Sequence, residues 1–257
     1  MKVTSIRATL AAAVLAFATF PAAADLAAAT AMYGKLLSQY VTVRGVKYDA
    51  WRASGTDLKS LSEVVMIYRS TDPKSLPPDE RKALYINLYN AKILETVLSG
   101  NPKGSIKELS KGLSPLEIFS RAALNFDQKA ISLNDLEKRL RDEFKDPRIH
   151  FAVNCASRSC PPIDPEPYVA KTLDARLDDA TRKFLASPGA VETRTDGGKT
   201  KIVATRIFNW YAEDFKASGG ALAFIRKFGP EAAADAIAGG RAKLEFADYD
   251  WSLNAAQ

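Results

Sequence analysis

The sequence predicts an α+β fold in which helices dominate and accompany a small β-sheet and a β-hairpin. Two patterns carry this prediction. Apolar residues recur at helical spacing in several stretches, of which the longest covers residues 79–98. The segments 191–194 and 199–203 flank an Asp-Gly-Gly turn, an arrangement that is typical of a hairpin. With 47% hydrophobic residues among 257, the chain has enough apolar material for a folded core.

The individual elements follow from local signals along the chain. The helix at 79–98 is apolar on most sides, which predicts a central, buried helix. Ser132 with Asp135 three residues later is typical of a capping box and predicts a helix over 132–144. The other predicted helices lie at 26–40, 58–69, 167–185, 208–216, 219–228 and 231–238. Extended segments are predicted at 41–51, 149–154 and 244–250.

The N-terminus is typical of a cleavable export signal. Lys2 and Arg7 form a positive start, an apolar run covers 8–20, and alanines at 22–24 provide a cleavage site. We therefore predict a signal peptide at 1–24 and a single globular domain at 25–257. No later stretch reaches the roughly 20 apolar residues that a spanning helix needs, so no transmembrane segment is expected after cleavage. The predicted location is periplasmic or secreted.

Charge and residue usage exclude several classes of function. The net charge of +6 falls to +4 when Lys2 and Arg7 leave with the predicted signal, and acids are interspersed among the basic residues. Nucleic-acid binding needs a clustered basic stripe, so we expect no nucleic-acid partner. The chain has one histidine and two cysteines, too few for a metal centre built from them alone, and we predict no metal and no cofactor. The expected partner is an unidentified envelope component or a small ligand.

The most distinctive segment is 146–162, DPRIHFAVNCASRSCPP, which contains His150, Cys155 and Cys160. Together with YINLYNA at 85–91, ISLNDLE at 131–137 and NWYAEDF at 209–215, it resembles the Domain of Unknown Function 547 family. The resemblance extends over about 40–220 of the chain. It implies a domain that occurs alone in exported bacterial proteins and is joined to other modules in eukaryotes. It implies no established activity, so no catalytic role can be transferred from it.

Three interpretations of Cys155 and Cys160 compete, and plain buried thiols are the remaining possibility. The first is a disulfide, since an exported protein meets an oxidising compartment and the cysteine count is even. Closing so small a loop would stabilise the fold by only about 2 kcal/mol, and its main effect would be to make the loop rigid. Another is a bound metal or a redox switch, although the spacing is not a standard zinc pattern.

The remaining one of the three competing interpretations is a cysteine nucleophile with His150 as its base. The predicted strand at 149–154 counts against it, because five residues of strand would place His150 and Cys155 roughly 16 Å apart, on opposite faces. Cys160 could return to the histidine only if the following loop folds back. A lowered thiol pKa beside Arg158 would favour this interpretation. A hydrogen-bonded structural histidine is an equally good interpretation of His150.

A pocket is predicted around the loop that follows His150. Its expected floor is the helix face that carries Asn87 and Asn90, which lie three residues apart. For the two amide side chains themselves, we favour hydrogen bonding that braces the loop over contact with a substrate. Its other expected members are Asn154, Ser157, Arg158 and Ser159. The aromatic residues of the 209–215 motif are expected in the core, with Glu213 and Asp214 facing water.

Two functions are compatible with this pocket. We favour a non-catalytic binding or interaction module of the cell envelope, with a loop locked by a disulfide between Cys155 and Cys160. The alternative is a thiol-dependent hydrolase or acyl transferase that uses a cysteine near His150. The sequence does not decide whether the protein is an enzyme.

Overall fold

A computed structural model of the chain describes residues 23–196, 199–240 and 242–256. The predicted signal peptide lies outside this range apart from Ala23 and Ala24, which begin the first helix. The fold is α+β and dominated by helices, as the sequence predicts. None of the described helices combines the length and the apolar character that crossing a membrane requires.

The α-helices are α1 (Ala23–Tyr40), α2 (Tyr48–Ala53), α3 (Gly55–Ser70), α4 (Pro78–Gly100), α5 (Glu117–Ser120), α6 (Leu133–Phe144), α7 (Leu173–Leu185), α8 (Ile207–Trp210), α9 (Ala212–Phe215), α10 (Gly220–Phe228) and α11 (Glu231–Ala238). The strands are β1 (Val41–Thr42), β2 (Gly45–Val46), β3 (Leu124–Phe126), β4 (Lys129–Ile131), β5 (Val191–Asp196), β6 (Lys199–Ala204) and β7 (Lys243–Phe246).

Helix α4 is the central helix that its apolar sequence predicts. Residues on all of its faces are buried, because α3, α6 and the segment around Tyr168 pack around it. Its N-terminus begins at Pro78, a position where the missing backbone N–H is not needed. Asn101 follows the last residue of the helix as its C-cap. Its φ of 48° is the left-handed conformation that closes many helices.

The predicted hairpin is confirmed and extends into a three-stranded sheet. Strands β5 and β6 pair antiparallel with Val191 opposite Ala204, and β7 pairs parallel to β6 with Ile202 opposite Leu244. The two glycines of the turn lie outside the described residues. Strands β1 with β2 and β3 with β4 form two smaller antiparallel hairpins.

The core consists of two apolar clusters. The larger cluster includes buried faces of α1–α4 and α6, and the smaller one is rich in phenylalanine and packs α7, α10 and the three-stranded sheet. Phe151 belongs to the smaller cluster, whereas Ile149 and Ala152 beside it belong to the larger one. The segment that contains His150 therefore lies at the boundary between the two clusters.

The predicted strand at 149–154 is wrong, and the segment instead forms a 3-10 helix over Pro147–Phe151. Asp146 caps this helix by accepting a hydrogen bond from the Arg148 N–H at 3.1 Å, and Pro147 occupies the first helical position. The alternation of apolar residues that predicted a strand has no structural counterpart, because every residue from 149 to 154 is buried. A 3-10 helix advances less per residue than a strand, so His150 and Cys155 are closer together than the predicted strand would place them.

The predicted extended segment at 41–51 is only partly extended. Strands β1 and β2 are two residues each, and α2 occupies the remainder from Tyr48. Gly45 has a φ of 120°, and any side chain there would overlap the backbone carbonyl of Asn254. Glycine is required at this position because it allows the C-terminal segment to pack against the hairpin.

The C-terminal segment 250–256 holds the cysteine-bearing loop in place through backbone hydrogen bonds. Arg158 N–H donates to Ser252 at 2.9 Å, Ser159 N–H donates to Asp250 at 3.2 Å, and Asn254 N–H donates to the Ala156 carbonyl at 3.2 Å. Each of these contacts joins residues about a hundred positions apart along the chain, so the loop acquires its shape only when the C-terminus has docked.

The amides of Asn87 and Asn90 brace backbone from the core side. Asn90 donates to the Ala152 carbonyl at 2.8 Å and accepts from the Asn154 N–H at 2.9 Å. Asn87 makes the same pair of bonds with the backbone of Tyr168, at 2.7 Å and 2.9 Å. Both side chains are almost fully buried, and their polar atoms are satisfied in the way that burial requires.

We predict that Asn90→Ala destabilises the protein, because it leaves the Asn154 N–H and the Ala152 carbonyl buried without partners. Each unpaired group should cost about 1–3 kcal/mol of the free energy of unfolding. Urea unfolding followed by circular dichroism measures the change. Asn209→Ala, at an exposed asparagine, serves as the matched control and should change stability by about 0.5 kcal/mol or less. Equal stability of the two variants would contradict the bracing role.

Candidate active site

A cavity of about 330 Å³ lies between the two apolar clusters, and both cysteines and the histidine contribute to its wall. It receives residues from α4, α6, the 3-10 helix, α8 and the C-terminal segment. Its lining is mainly aromatic and aliphatic with few polar groups, namely Tyr89, Leu116, Phe119, Asn134, Glu137, His150, Val153, Cys155, Cys160, Pro161, Ile207, Trp210, Tyr211, Tyr249 and Trp251. This combination is the usual composition of a small-molecule site.

The Cys155 sulfur is surrounded by hydrogen-bonding groups. The Ser157 hydroxyl lies 3.0 Å from it and the Tyr249 hydroxyl lies 3.3 Å from it, and these two hydroxyls are themselves 3.1 Å apart. Cys155 is partly exposed, whereas Cys160 is buried. Both cysteines line the cavity, and Cys155 is the more exposed of the two.

These contacts give the two thiols opposite acidities. Burial alone would raise the pKa of Cys155, but hydrogen bonds from Cys160, Ser157 and Tyr249 stabilise the thiolate and lower its pKa to about 7. Burial and the neighbouring Cys155 raise the pKa of Cys160 well above its ordinary value. At neutral pH a large fraction of Cys155 is thus the nucleophilic thiolate, while Cys160 retains its proton.

His150 is oriented by a carboxylate. Its Nε2 lies 2.7 Å from an oxygen of Asp214, which also pairs with the Arg141 guanidinium. The hydrogen bond from His150 and the pairing with Arg141 hold the pKa of Asp214 well below its usual range against the opposing effect of burial. An ionised carboxylate only accepts hydrogen bonds, so Nε2 must carry a proton. In the neutral ring Nδ1 is then the basic nitrogen.

Glu137 and two tyrosines occupy the histidine side of the cavity. A Glu137 oxygen lies 3.9 Å from His150 Nδ1, and the ring of Tyr211 stacks on the imidazole with centroids 4.0 Å apart. Burial and the nearby Glu137 raise the pKa of Tyr211, and burial raises the pKa of Tyr89 well above its usual range. Both phenols remain protonated at neutral pH and can donate hydrogen bonds.

Three aromatic rings form the outer wall. Trp210 packs against Tyr249 and Trp251 with centroids 4.7 Å and 6.0 Å apart, and Tyr249 and Trp251 are 4.7 Å apart. Lys107 places its ammonium 4.2 Å from the centre of the Trp251 ring, a favourable cation–π geometry. Trp210 remains 45% exposed, so an apolar face borders the cavity where solvent reaches it.

The structure brings together His150, Cys155 and Cys160, but it does not place the other predicted pocket residues in the cavity. Asn87, Asn90 and Asn154 are buried and bound to backbone or to one another. The Ser157 hydroxyl is a hydrogen-bond partner of the Cys155 sulfur. Arg158 and Ser159 line other, smaller cavities, and Cys160 with the hydroxyls of Ser157 and Tyr249, rather than the Arg158 guanidinium, stabilises the thiolate.

Three further sequence expectations are corrected. Both cysteines are free thiols, so the disulfide expected between Cys155 and Cys160 is not formed in this structure. Asp214 does not face water, because it pairs with His150 and Arg141, whereas Glu213 is exposed as predicted. Trp210 lies at the cavity rather than in the core, although Phe215 is fully buried.

Sequence reasoning missed the contributions of Glu137, Tyr249 and Trp251. Glu137 belongs to a helix rich in charged residues, a composition typical of an exposed face. It nevertheless lies on the buried side of α6. Tyr249 and Trp251 belong to the sequence DYDW at 248–251, where two aromatics alternate with acids close to the C-terminus. That alternation was the available signal, since a segment of this kind presents its aromatic side chains on one face.

Fold and site together define a helix-dominated α+β protein with a thiol-bearing cavity. Residues 73–185 match the family described as "Protein of unknown function, DUF547". The matched part contains α4, α6 and the whole cysteine segment, but it is shorter than the predicted 40–220 and omits the motif at 209–215. No curated protein and no solved structure matches the chain. In the described part, no three His, Cys, Asp or Glu side chains are arranged to hold a metal ion.

We predict that the alkylation rate of Cys155 rises with a midpoint near pH 7, as its pKa of about 7 requires. Tyr249→Phe removes a hydrogen bond to the thiolate while keeping the ring, so the midpoint should move upward. The rate of iodoacetamide modification against pH, with the modified cysteine identified by peptide mass, provides the measurement. Phe119→Leu is a control that alters the cavity wall without touching the thiol. A midpoint that stays the same in Tyr249→Phe would exclude this source of acidity.

We also predict an acid-sensitive contribution from Asp214. A carboxylate whose pKa is lowered in the folded state stabilises the protein fully above its ordinary pKa of about 4, and this stability is lost gradually as the pH falls toward the lowered folded-state pKa. Asp214→Asn should therefore lower the melting temperature at pH 7, and the difference from the wild type should shrink steadily from about pH 5 to about pH 2. Thermal unfolding across this range is the measurement, with the exposed Glu213→Gln as control. A difference that is independent of pH would argue against the ion pair.

Proposed function

We propose that the protein is a thiol-dependent hydrolase or acyl transferase in which Cys155 is the nucleophile. The observation that carries this proposal is the position of the Cys155 thiol. It is partly exposed in a cavity, it accepts hydrogen bonds that favour the thiolate, and it shares that cavity with a histidine oriented by Asp214. A nucleophile of lowered pKa beside an oriented base is the general arrangement of covalent acyl-transfer enzymes.

In the proposed reaction, the Cys155 sulfur forms a bond to the carbonyl carbon of an ester or amide. The bond between that carbon and the leaving oxygen or nitrogen breaks, and the leaving group departs with a proton supplied by His150. Water, or another acceptor in a transferase, then attacks the thioester carbon and gives up a proton. The carbon–sulfur bond breaks, and the free thiolate is restored.

His150 is the proposed proton carrier for both steps. Asp214 holds the Nε2 proton, while Nδ1 donates its proton to the leaving group in the first step and takes a proton back from the attacking water in the second. Glu137, 3.9 Å from Nδ1, stabilises the positive charge of the ring while Nδ1 carries that proton. Neither sulfur makes a hydrogen bond to His150 among the described contacts, so the histidine acts on groups bound in the cavity rather than on the thiol.

The lining of the cavity supports an acyl group that is apolar. Leu116, Phe119, Val153 and Ile207 surround the space next to the thiol, and each favours burial of hydrocarbon over a charged group. The protonated hydroxyl of Tyr89 lines the same cavity and can donate to a carbonyl oxygen there. A hydrophobic acyl ester or thioester is therefore the first substrate class to test.

The proposed place of action is the cell envelope, which rests on the signal-like sequence at 1–24. A non-catalytic binding module of the envelope is a second candidate, and the aromatic wall formed by Trp210, Tyr249 and Trp251 favours it. The two candidates differ in their need for the thiol. A binding module would retain its ligand when Cys155 is replaced by serine, whereas the enzyme would lose turnover.

We predict that purified protein hydrolyses p-nitrophenyl esters of medium-length fatty acids through an acyl-enzyme on Cys155. Cys155→Ser should abolish turnover, and His150→Gln should lower kcat by about 10²–10⁴-fold, the usual contribution of acid–base catalysis. Steady-state rates measure the loss, and intact mass detects the acyl adduct.

Two controls separate catalysis from folding. Arg158→Ala alters the same loop outside the cavity and should keep wild-type rates, and iodoacetamide should still modify Cys155 in His150→Gln. Hydrolysis by Cys155→Ser at the wild-type rate would exclude the proposed nucleophile. Absence of turnover and of any acyl adduct across esters, thioesters and amides would favour the binding module.

A further inference from the structure

The loop 155–160 folds back and places the Cys160 sulfur against the backbone of Cys155. The Cys155 N–H donates to the Cys160 sulfur at 2.9 Å, and the Cys160 N–H donates to the Ser157 carbonyl at 3.2 Å. Ala156 has a φ of 60°, a conformation that reverses the chain between the two cysteines. The Cys155 sulfur is only three bonds from the nitrogen that contacts Cys160, so the same turn holds both sulfurs within reach of each other.

The two sulfurs are not equivalent in their surroundings. Cys155 opens to the cavity beside the hydroxyls of Ser157 and Tyr249, whereas Cys160 lies deeper, with the Val153 carbonyl 3.9 Å from its sulfur. Hydrogen bonding lowers the pKa of Cys155, and burial raises that of Cys160. One thiol is thus accessible and readily ionised, and its neighbour is shielded and protonated.

We propose that Cys155 and Cys160 form a redox-active dithiol pair, in which Cys155 attacks a small-molecule disulfide and Cys160 resolves the mixed disulfide that results. The acyl-transfer chemistry proposed above has no use for a second cysteine beside the nucleophile, since one thiol suffices for it. The dithiol pair explains this second sulfur and does not depend on whether the protein transfers acyl groups.

The exchange balances in two steps. The Cys155 thiolate forms a bond to one sulfur of the external disulfide, and the other sulfur leaves as a thiolate and takes up a proton. Cys160 then loses its proton and attacks the Cys155 sulfur, which releases the second external thiol. The protein loses two hydrogen atoms, that is two protons and two electrons, and gains the Cys155–Cys160 bond, while one external disulfide becomes two thiols.

The surrounding structure suits this reaction because hydrogen bonds that do not involve the sulfurs fix both ends of the loop. The Asn154 side chain donates to the Pro161 carbonyl at 2.6 Å and accepts from the Ala156 N–H at 2.7 Å, and so links the two ends of the loop. The C-terminal segment pairs with its outer side through Arg158 and Ser159. A disulfide can therefore form and open within a loop whose ends stay in place, and oxidation would at the same time remove the nucleophile from the cavity.

Intact mass of the full protein treated with oxidised glutathione tests the proposal. The reduced wild type should lose two hydrogen atoms and retain no glutathione, with the Cys155–Cys160 linkage identified by peptide mass. Cys160→Ser should accumulate one glutathione on Cys155, because the resolving thiol is missing. Cys155→Ser should react at least about tenfold more slowly, since the protonated thiol of Cys160 is a poor nucleophile.

Three results would overturn the proposal. They are a wild type that stays fully reduced, a wild type that keeps a stable glutathione adduct, and a Cys155→Ser variant that reacts as fast as the wild type. The wild-type measurement decides the question even where a variant fails to fold. None of these readouts involves ester hydrolysis, so failure of the dithiol pair and failure of the acyl-transfer proposal are recorded separately.

Discussion

The amide clamp formed by Asn90 and Asn154 is the interaction on which the candidate site depends. Asn90 on the central helix binds backbone on both sides of Val153, and Asn154 binds the backbone of Ala156 and Pro161. Because these groups are buried, each unmade hydrogen bond would be costly. Together they hold the backbone in the reversal that carries both cysteines to the cavity wall.

The cavity itself results from the boundary between two apolar clusters. Phe151 packs into the phenylalanine-rich cluster while the residues flanking it pack into the larger one, so His150 is held at the junction. Few polar groups reach this junction, and those nearest the histidine and the thiol are paired. Asp214 faces the imidazole and Arg141, and the hydroxyls of Tyr249 and Ser157 face the thiol. An apolar setting strengthens these electrostatic contacts, because water does not compete for them.

Several features of the fold could be predicted locally, and others could not. The capping box at Ser132, the apolar character of α4 and the glycine turn of the hairpin act over a few residues, and each gave the right element. The segment after Pro147 was predicted as a strand because its apolar residues alternate. Burial on every side overrides that pattern, and a proline after a capping aspartate favours the tighter 3-10 turn.

The sequence alone shows which reactive groups the chain carries, because its single histidine and its two cysteines lie within eleven residues of one another. It also indicates the class of fold, since helix periodicity and turn signals are local. The packing of the chain, in contrast, sets which groups surround the histidine and the cysteines. Asp214, Tyr249 and Glu137 come from distant segments, and their distances to His150 and Cys155 depend on how α6, α9 and the C-terminus pack. Hydrogen bonds and acidities of this kind arise from contacts across the fold, and no local pattern of residues encodes them.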